Sequence, residues 1–133
     1  MVCFDSEYLH VELYEEPGVL ITQWYGKCTS KEYREALLKF NSYVRLYNVS
    51  YAIADRRLLP ELSQKDAEWT LNDFLELFVQ LPLKRFAVLN SFDEHAAEHL
   101  KRFLNDKRYP IPFEVQAFED LTSAYDWLVS VEA

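Results

Sequence analysis

"YAIADRRLLPELSQKDAEW", residues 51–69, decides how the rest of the chain is read. Its first four residues are apolar on both sides of an extended chain, as in a strand covered on both faces. Asp55, Arg56 and Arg57 end that strand. Ser63 then precedes Asp66 by three residues, the spacing at which a serine Oγ accepts a free backbone N–H and opens a helix. The stretch reads as a buried strand handing over to a helix. The same pattern returns downstream. "RFAVLN" (85–90) is a second doubly apolar strand, and residues 93–106 carry Ala96, Ala97, Leu100, Phe103 and Leu104 at helical spacing.

Outward from these two units the signals agree. The helix opened by Ser63 and Asp66 has a core stripe of Ala67, Leu71, Phe74, Leu75, Phe78 and Leu81, and Pro82 ends it. Upstream, Thr29 and Glu32 form a capping-box pattern. They open a helix whose inner stripe is Tyr33, Ala36, Leu37, Phe40, Tyr43, Val44 and Tyr47. "YLHVELY" (8–14) alternates, "EEPG" supplies turn chemistry, and "VLITQWY" (19–25) completes an antiparallel hairpin. "FEVQAF" (113–118) alternates as an edge strand would, and a last helix from Asp120 packs Leu121, Ala124, Tyr125 and Leu128. The order β-β-α-β-α-β-α-β-α calls for an α/β fold with a mainly parallel five-stranded sheet, right-handed crossovers and an N-terminal antiparallel hairpin. With 133 residues, one domain spanning 1–133 is expected.

Composition narrows the function classes. Half the residues are hydrophobic and 16% aromatic, which excludes a disordered chain. A net charge of −8 argues against nucleic acid or an anionic membrane as partner, since both want a basic surface. Cys3 and Cys28 are isolated and fit a reducing interior better than a disulfide framework. The opening residues lack the basic and apolar regions of a signal peptide, and no apolar run approaches the roughly 20 residues of a membrane span. A cytoplasmic location without membrane insertion is expected.

Only Gly18 and Gly26 are glycines, so neither a G-x-G-x-x-G turn nor a P-loop is present, and no G-x-S-x-G elbow exists. In a parallel sheet, ligands gather outside the carboxyl ends of the strands. Those ends carry Asp55, Arg56 and Arg57, and then Asn90 and Ser91, which are the candidate ligand-binding residues. One reading is a guanidinium fork for an anionic ligand. The blander one is that Asp55 caps local N–H groups and pairs with an arginine. Ser63 is a candidate phosphorylation site, although capping alone justifies a serine there.

"HAAEH" (95–99) spells the H-x-x-E-H zinc pattern. His95 and His99, however, share a face that helical geometry turns about 120° from the core stripe, toward solvent. No metal site is expected. Cys28 lies at a helix entrance, where a thiolate can be stabilised; a small buried cysteine is the plainer reading. Trp69 falls at about 200° from Ala67, opposite its helix's core stripe. Together with Leu38, Leu46 and Val79 it makes a candidate interaction surface.

The order of elements resembles the SpoIIAA-like group, the STAS-type domains, and within it small stand-alone bacterial members of unassigned function. The residues carrying the resemblance are Trp24 and Gly26; Glu32, Tyr33 and Arg34; Asp55 and Arg57; Asp66 and Trp69; and the closing "AYDWL", Ala124 to Leu128. The resemblance implies a regulatory or interaction module and not a catalyst. In anti-sigma-factor antagonists of this type, a serine at the start of the helix after the third strand is phosphorylated; Ser63 is the nearest position. Their "D-S-S-G" sequence is absent here. A Sec14-type lipid pocket needs extra helices that this chain lacks.

The expectation is therefore a non-catalytic cytoplasmic regulatory or protein-binding domain that forms a homodimer or binds another protein, with no cofactor. The alternative is a small anionic-ligand or lipid-binding domain using the Asp55, Arg56 and Arg57 cluster. An enzyme built on Cys28 or Asp55 is the third.

Overall fold

The computed structural model describes residues 1–130. A six-stranded sheet runs in sequence order: β1 (Val2–Asp5), β2 (Leu9–Tyr14), β3 (Val19–Trp24), β4 (Tyr51–Asp55), β5 (Arg85–Leu89) and β6 (Glu114–Phe118). The first two pairings are antiparallel and the last three parallel. The two doubly apolar strands lie side by side in the same direction, Ala52 against Phe86 and Ala54 against Val88. The expected five strands are six. Residues 2–5 form a short extra edge strand with an irregular register between Val2 and Phe4, too brief for its alternation to show. The hairpin turn works as its residues demand: Gly18 sits at φ +95°, where only glycine is unstrained.

Four helical segments complete the fold. α1 (Ser30–Leu46) opens with both halves of the capping box made, Glu32 N–H to Thr29 Oγ1 at 3.1 Å and Thr29 N–H to Glu32 Oε1 at 2.8 Å. α2 is continuous but composite: Gln64–Trp69, a π-helical turn over Thr70–Phe74, and Leu75–Phe78. α3 (Glu94–Leu104) and α4 (Leu121–Val129) start on Asp93 and Asp120 as N-caps.

Strands β3 to β6 advance in one direction across the sheet. Right-handed crossovers then place α1, α2 and α3 on the same face. Their apolar stripes close one core with Leu20, Trp24, Ala52, Phe86 and Val88. α4 follows the last strand and is free to fold back over the other face, where Ala124 and Leu128 cover Val19, Ile53, Ala87 and Leu89. The sheet is thus sandwiched, as the doubly apolar strands require. Among the described residues no helix is long and apolar enough to cross a membrane.

Candidate functional site: an arginine in an aromatic cavity

Successive residues of an extended chain point to opposite faces. At the end of β4 this separates the three charged residues. Asp55 follows Ile53 onto the α4 side and Arg57 turns back to it: Nε and Nη2 of Arg57 donate to Asp55 Oδ1 at 3.0 Å and Oδ2 at 2.9 Å. The Arg57 backbone N–H adds a third bond to Oδ1 at 3.2 Å. Burial opposes charge on Asp55, yet these bonds win and hold its carboxyl below the usual range. The blander reading describes this pair.

Arg56 goes the other way. It shares the parity of Ala52 and Ala54 and enters the core beneath α1, α2 and α3 with only 8% of its surface exposed. Among the described residues its side chain has no hydrogen-bond or ion-pair partner, and Nη1 is buried. Burial pulls its pKa down from the ordinary arginine value.

Arg56 lines a cavity of about 70 Å³ between the sheet and the three helices. A water needs roughly 10–15 Å³ of such space, so the cavity takes several waters or a small organic molecule. Its walls are apolar and rich in aromatic rings: Phe40, Phe74, Phe78, Phe86 and Phe103, with Trp24 and Tyr33, among aliphatic side chains. Rings pack edge-on, tilted and stacked around it: Phe78 lies 5.2 Å from both Phe86 and Phe103, and Phe74 stacks on Phe103. The polar groups on the wall are largely committed. Tyr33 Oη and Thr70 Oγ1 are 2.7 Å apart, and Thr70 donates to the Asp66 carbonyl at 2.7 Å. Thr22 Oγ1 donates to the Ile53 carbonyl at 3.2 Å.

His99 also lines the cavity. Helical spacing turns His99 to solvent with His95, but the structure separates them: His95 is exposed, whereas His99 is only 8% exposed. The α3 stripe is wider than its alanines and leucines suggest, because the Ala67 carbonyl of α2, which already accepts the Thr70 N–H, has a second lone pair for a donor there. Nε2 of His99 lies 3.0 Å from that carbonyl, so Nε2 carries the proton and Nδ1 is a bare acceptor, buried and unpartnered. Burial, with Arg56 and Arg102 adding repulsion, pushes the imidazole pKa down. The two histidines do not converge, and no group of three or more metal-binding side chains occurs among the described residues.

The remaining sequence candidates separate. Asn90 and Ser91 organise the turn into α3: Asn90 Nδ2 donates to the Ala97 carbonyl at 3.3 Å, and Ser91 Oγ donates to the Leu59 carbonyl at 2.6 Å. Ser63 is exposed at the surface and its Oγ accepts the Asp66 N–H at 3.1 Å. Cys28 has a thiol pushed up to about 11 by burial, with Glu32 and Asp66 adding to the effect, the reverse of an activated nucleophile. Both cysteines are free. Leu38 and Leu46 are exposed on α1, but Trp69 and Val79 are not: both pack against the core. Trp69 stacks on Phe74 with centroids 5.9 Å apart and meets Tyr33 edge-on. The π turn explains the displacement. Leu75 N–H bonds to the Thr70 carbonyl, five residues back, so counting 100° per residue overruns the true rotation.

Sequence reading missed the cavity because its wall comes from four strands and three helices far apart in the chain. The direction of Arg56 was nevertheless readable from its parity with Ala52 and Ala54.

No family model matches the chain, and no curated protein is similar to it in sequence. Among solved structures it matches the crystal structure of an uncharacterized protein of the DUF3478 family from Shewanella loihica PV-4, described as having a SpoIIAA-like fold. The TM-score is 0.60 with 22% identity, over 94% of this chain and 97% of that one. The fold is SpoIIAA-like. In this SpoIIAA-like chain, five of the residues that carried the resemblance, Trp24, Tyr33, Arg34, Asp66 and Trp69, meet in space as a clasp at one end of the cavity, while Asp55, Arg57 and the closing helix lie toward the other face of the sheet. Arg34 Nε bonds Asp66 Oδ1 at 2.9 Å and its guanidinium lies 5.3 Å over the Trp69 ring. Ser30 also bonds Asp66, and Tyr33 stands between Trp24 and Trp69.

Proposed function

We propose that the protein is a non-catalytic cytoplasmic binding module whose ligand is a small organic anion with an apolar body. The anion's charge rests on Arg56 and its body on the phenylalanine wall. One observation carries this reading: a guanidinium buried in an aromatic cavity with no hydrogen bond or counter-charge. Leaving a buried charge uncompensated typically costs on the order of 3–5 kcal/mol. A cation is retained at such a cost where a ligand offsets it. The reading keeps the anion-binding alternative from the sequence but moves it from the surface cluster into the core, onto Arg56 alone.

A thermal-shift panel of small carboxylic acids, phosphate and neutral analogues tests it. The intact chain is expected to be stabilised by at least one class of organic acid. Arg56→Met is expected to melt several degrees higher without ligand and to lose that response. An Arg56→Met chain that melts lower and still responds to acids would sink the proposal.

A second reading, self-association, is favoured by Leu46, 70% exposed, and Leu38, 42% exposed, both on the exposed side of α1. Light scattering at high micromolar concentration is expected to show a dimer that Leu46→Lys dissociates. A monomer throughout counts against this reading.

A further inference from the structure

The cavity holds two unpartnered buried nitrogens of opposite character. Arg56 Nη1 is a donor on a fixed positive charge, and His99 Nδ1 is an acceptor on a neutral ring whose other nitrogen is committed to Ala67. Among the described residues they are the buried unpartnered side-chain polar atoms on a wall that is otherwise aromatic and aliphatic side chains and satisfied hydroxyls. A carboxylate satisfies Arg56 at once, with two oxygens matching the guanidinium fork. It cannot satisfy a bare Nδ1, since both are acceptors, unless a proton comes between them.

We infer that the ligand is an aromatic monocarboxylate seated between Arg56 and His99, and that its binding draws one proton from water onto His99 Nδ1. This rests on the proposed binding function and adds to it the ligand class and the proton. The size and lining argue for an aromatic ring: several Phe rings present edges and faces around a space fit for a small flat body.

The groups facing His99 support the coupling. Arg56 reaches the cavity from the loop after β4, Tyr33 stands on its wall from α1, and Arg102 lies on the same helix as His99. α2 contributes the Ala67 carbonyl. Nearby Glu68 is exposed and accepts from Gln64, and Asp66 is held by Ser30 and Arg34. In the free protein His99 is therefore held neutral by burial and by Arg56. An anion cancels the repulsion from Arg56 and supplies an acceptor for a protonated Nδ1, and both raise the affinity of the ring for a proton.

The test is titration calorimetry of benzoate into the intact chain near about pH 6, in two buffers of different ionisation heat. Hexanoate and benzyl alcohol serve as controls, and Arg56→Met and His99→Gln as variants. Benzoate is expected to bind more tightly than either control and to take up close to one proton. Its affinity should weaken as pH rises, by up to roughly tenfold per unit between the free and bound pKa of His99. His99→Gln is expected to bind with no buffer dependence. Should that variant fail to fold, the ring-nitrogen NMR shifts of His99 in the intact chain, with and without benzoate, read the same proton. Benzoate binding that needs Arg56 but moves no proton overturns the coupling and leaves the binding function standing. Equal affinity for hexanoate overturns the aromatic class. If no acid binds at all, the proposed function itself falls.

Discussion

At the scale of single residues, two histidines have opposite fates, and stability should record both. His10 lies between Glu12 at 2.9 Å and Asp5 at 3.0 Å, and these bonds raise its pKa above the ordinary 6.5. Its contribution is complete below 6.5 and is lost as pH climbs through the raised value. His99 is depressed by burial. The unfolded chain takes up a proton there before the folded one does, so stability is lost as pH falls from 6.5 through the lowered value. The urea midpoint of the ligand-free protein is expected to peak near pH 6.5. His99→Gln should flatten the acid side and His10→Gln the alkaline side. A His99→Gln profile that still declines between about pH 6.5 and 5 would show that another group is responsible. Asp55, Asp66 and Asp120, whose carboxyls are held low, enter only at more acid pH.

At the scale of elements, α2 is the piece whose behaviour differs most from its sequence pattern. Its cap and core stripe follow the spacing of Ser63, Leu71, Phe74 and Phe78, because capping and amphipathicity are local. The π turn is not local. It lets Asp66, Trp69 and Thr70 face α1 while Leu71, Phe74 and Leu75 still face the core, and a regular helix could present only one of these sets. The turn sets Thr70 against Tyr33 and Trp69 under Arg34, shaping the end of the cavity. Trp69→Ala should therefore act as a core truncation, lowering unfolding free energy by about 2–3 kcal/mol in urea without changing the oligomeric state. A loss below about 1 kcal/mol would return Trp69 to the surface role its sequence position suggested.

At the scale of the whole molecule, the two faces of the sheet divide the labour. One is sealed by α4 in a small cluster of Val19, Ile53, Ala87, Leu89, Ala124 and Leu128. The other carries three helices, the aromatic core and the cavity. That division follows from strand order, since four strands advancing in one direction put every crossover on one side. The sequence by itself determined five of the six strands and the helices, where most helices begin, and that two strands lie buried and parallel. Those features depend on alternation, helical spacing and caps, each decided within a few residues. It also offered, as one of two readings, that Asp55 pairs with a neighbouring arginine, and the structure makes that arginine Arg57. Only the tertiary structure decided that Arg56 is alone, that His99 is buried with a free nitrogen, and that Trp69 is part of a clasp. Each of these depends on what distant segments bring or fail to bring: a counter-charge that never arrives, a carbonyl with a second lone pair to offer on another helix, an extra residue in a turn. Local pattern says which way a side chain starts, and only packing says what it meets.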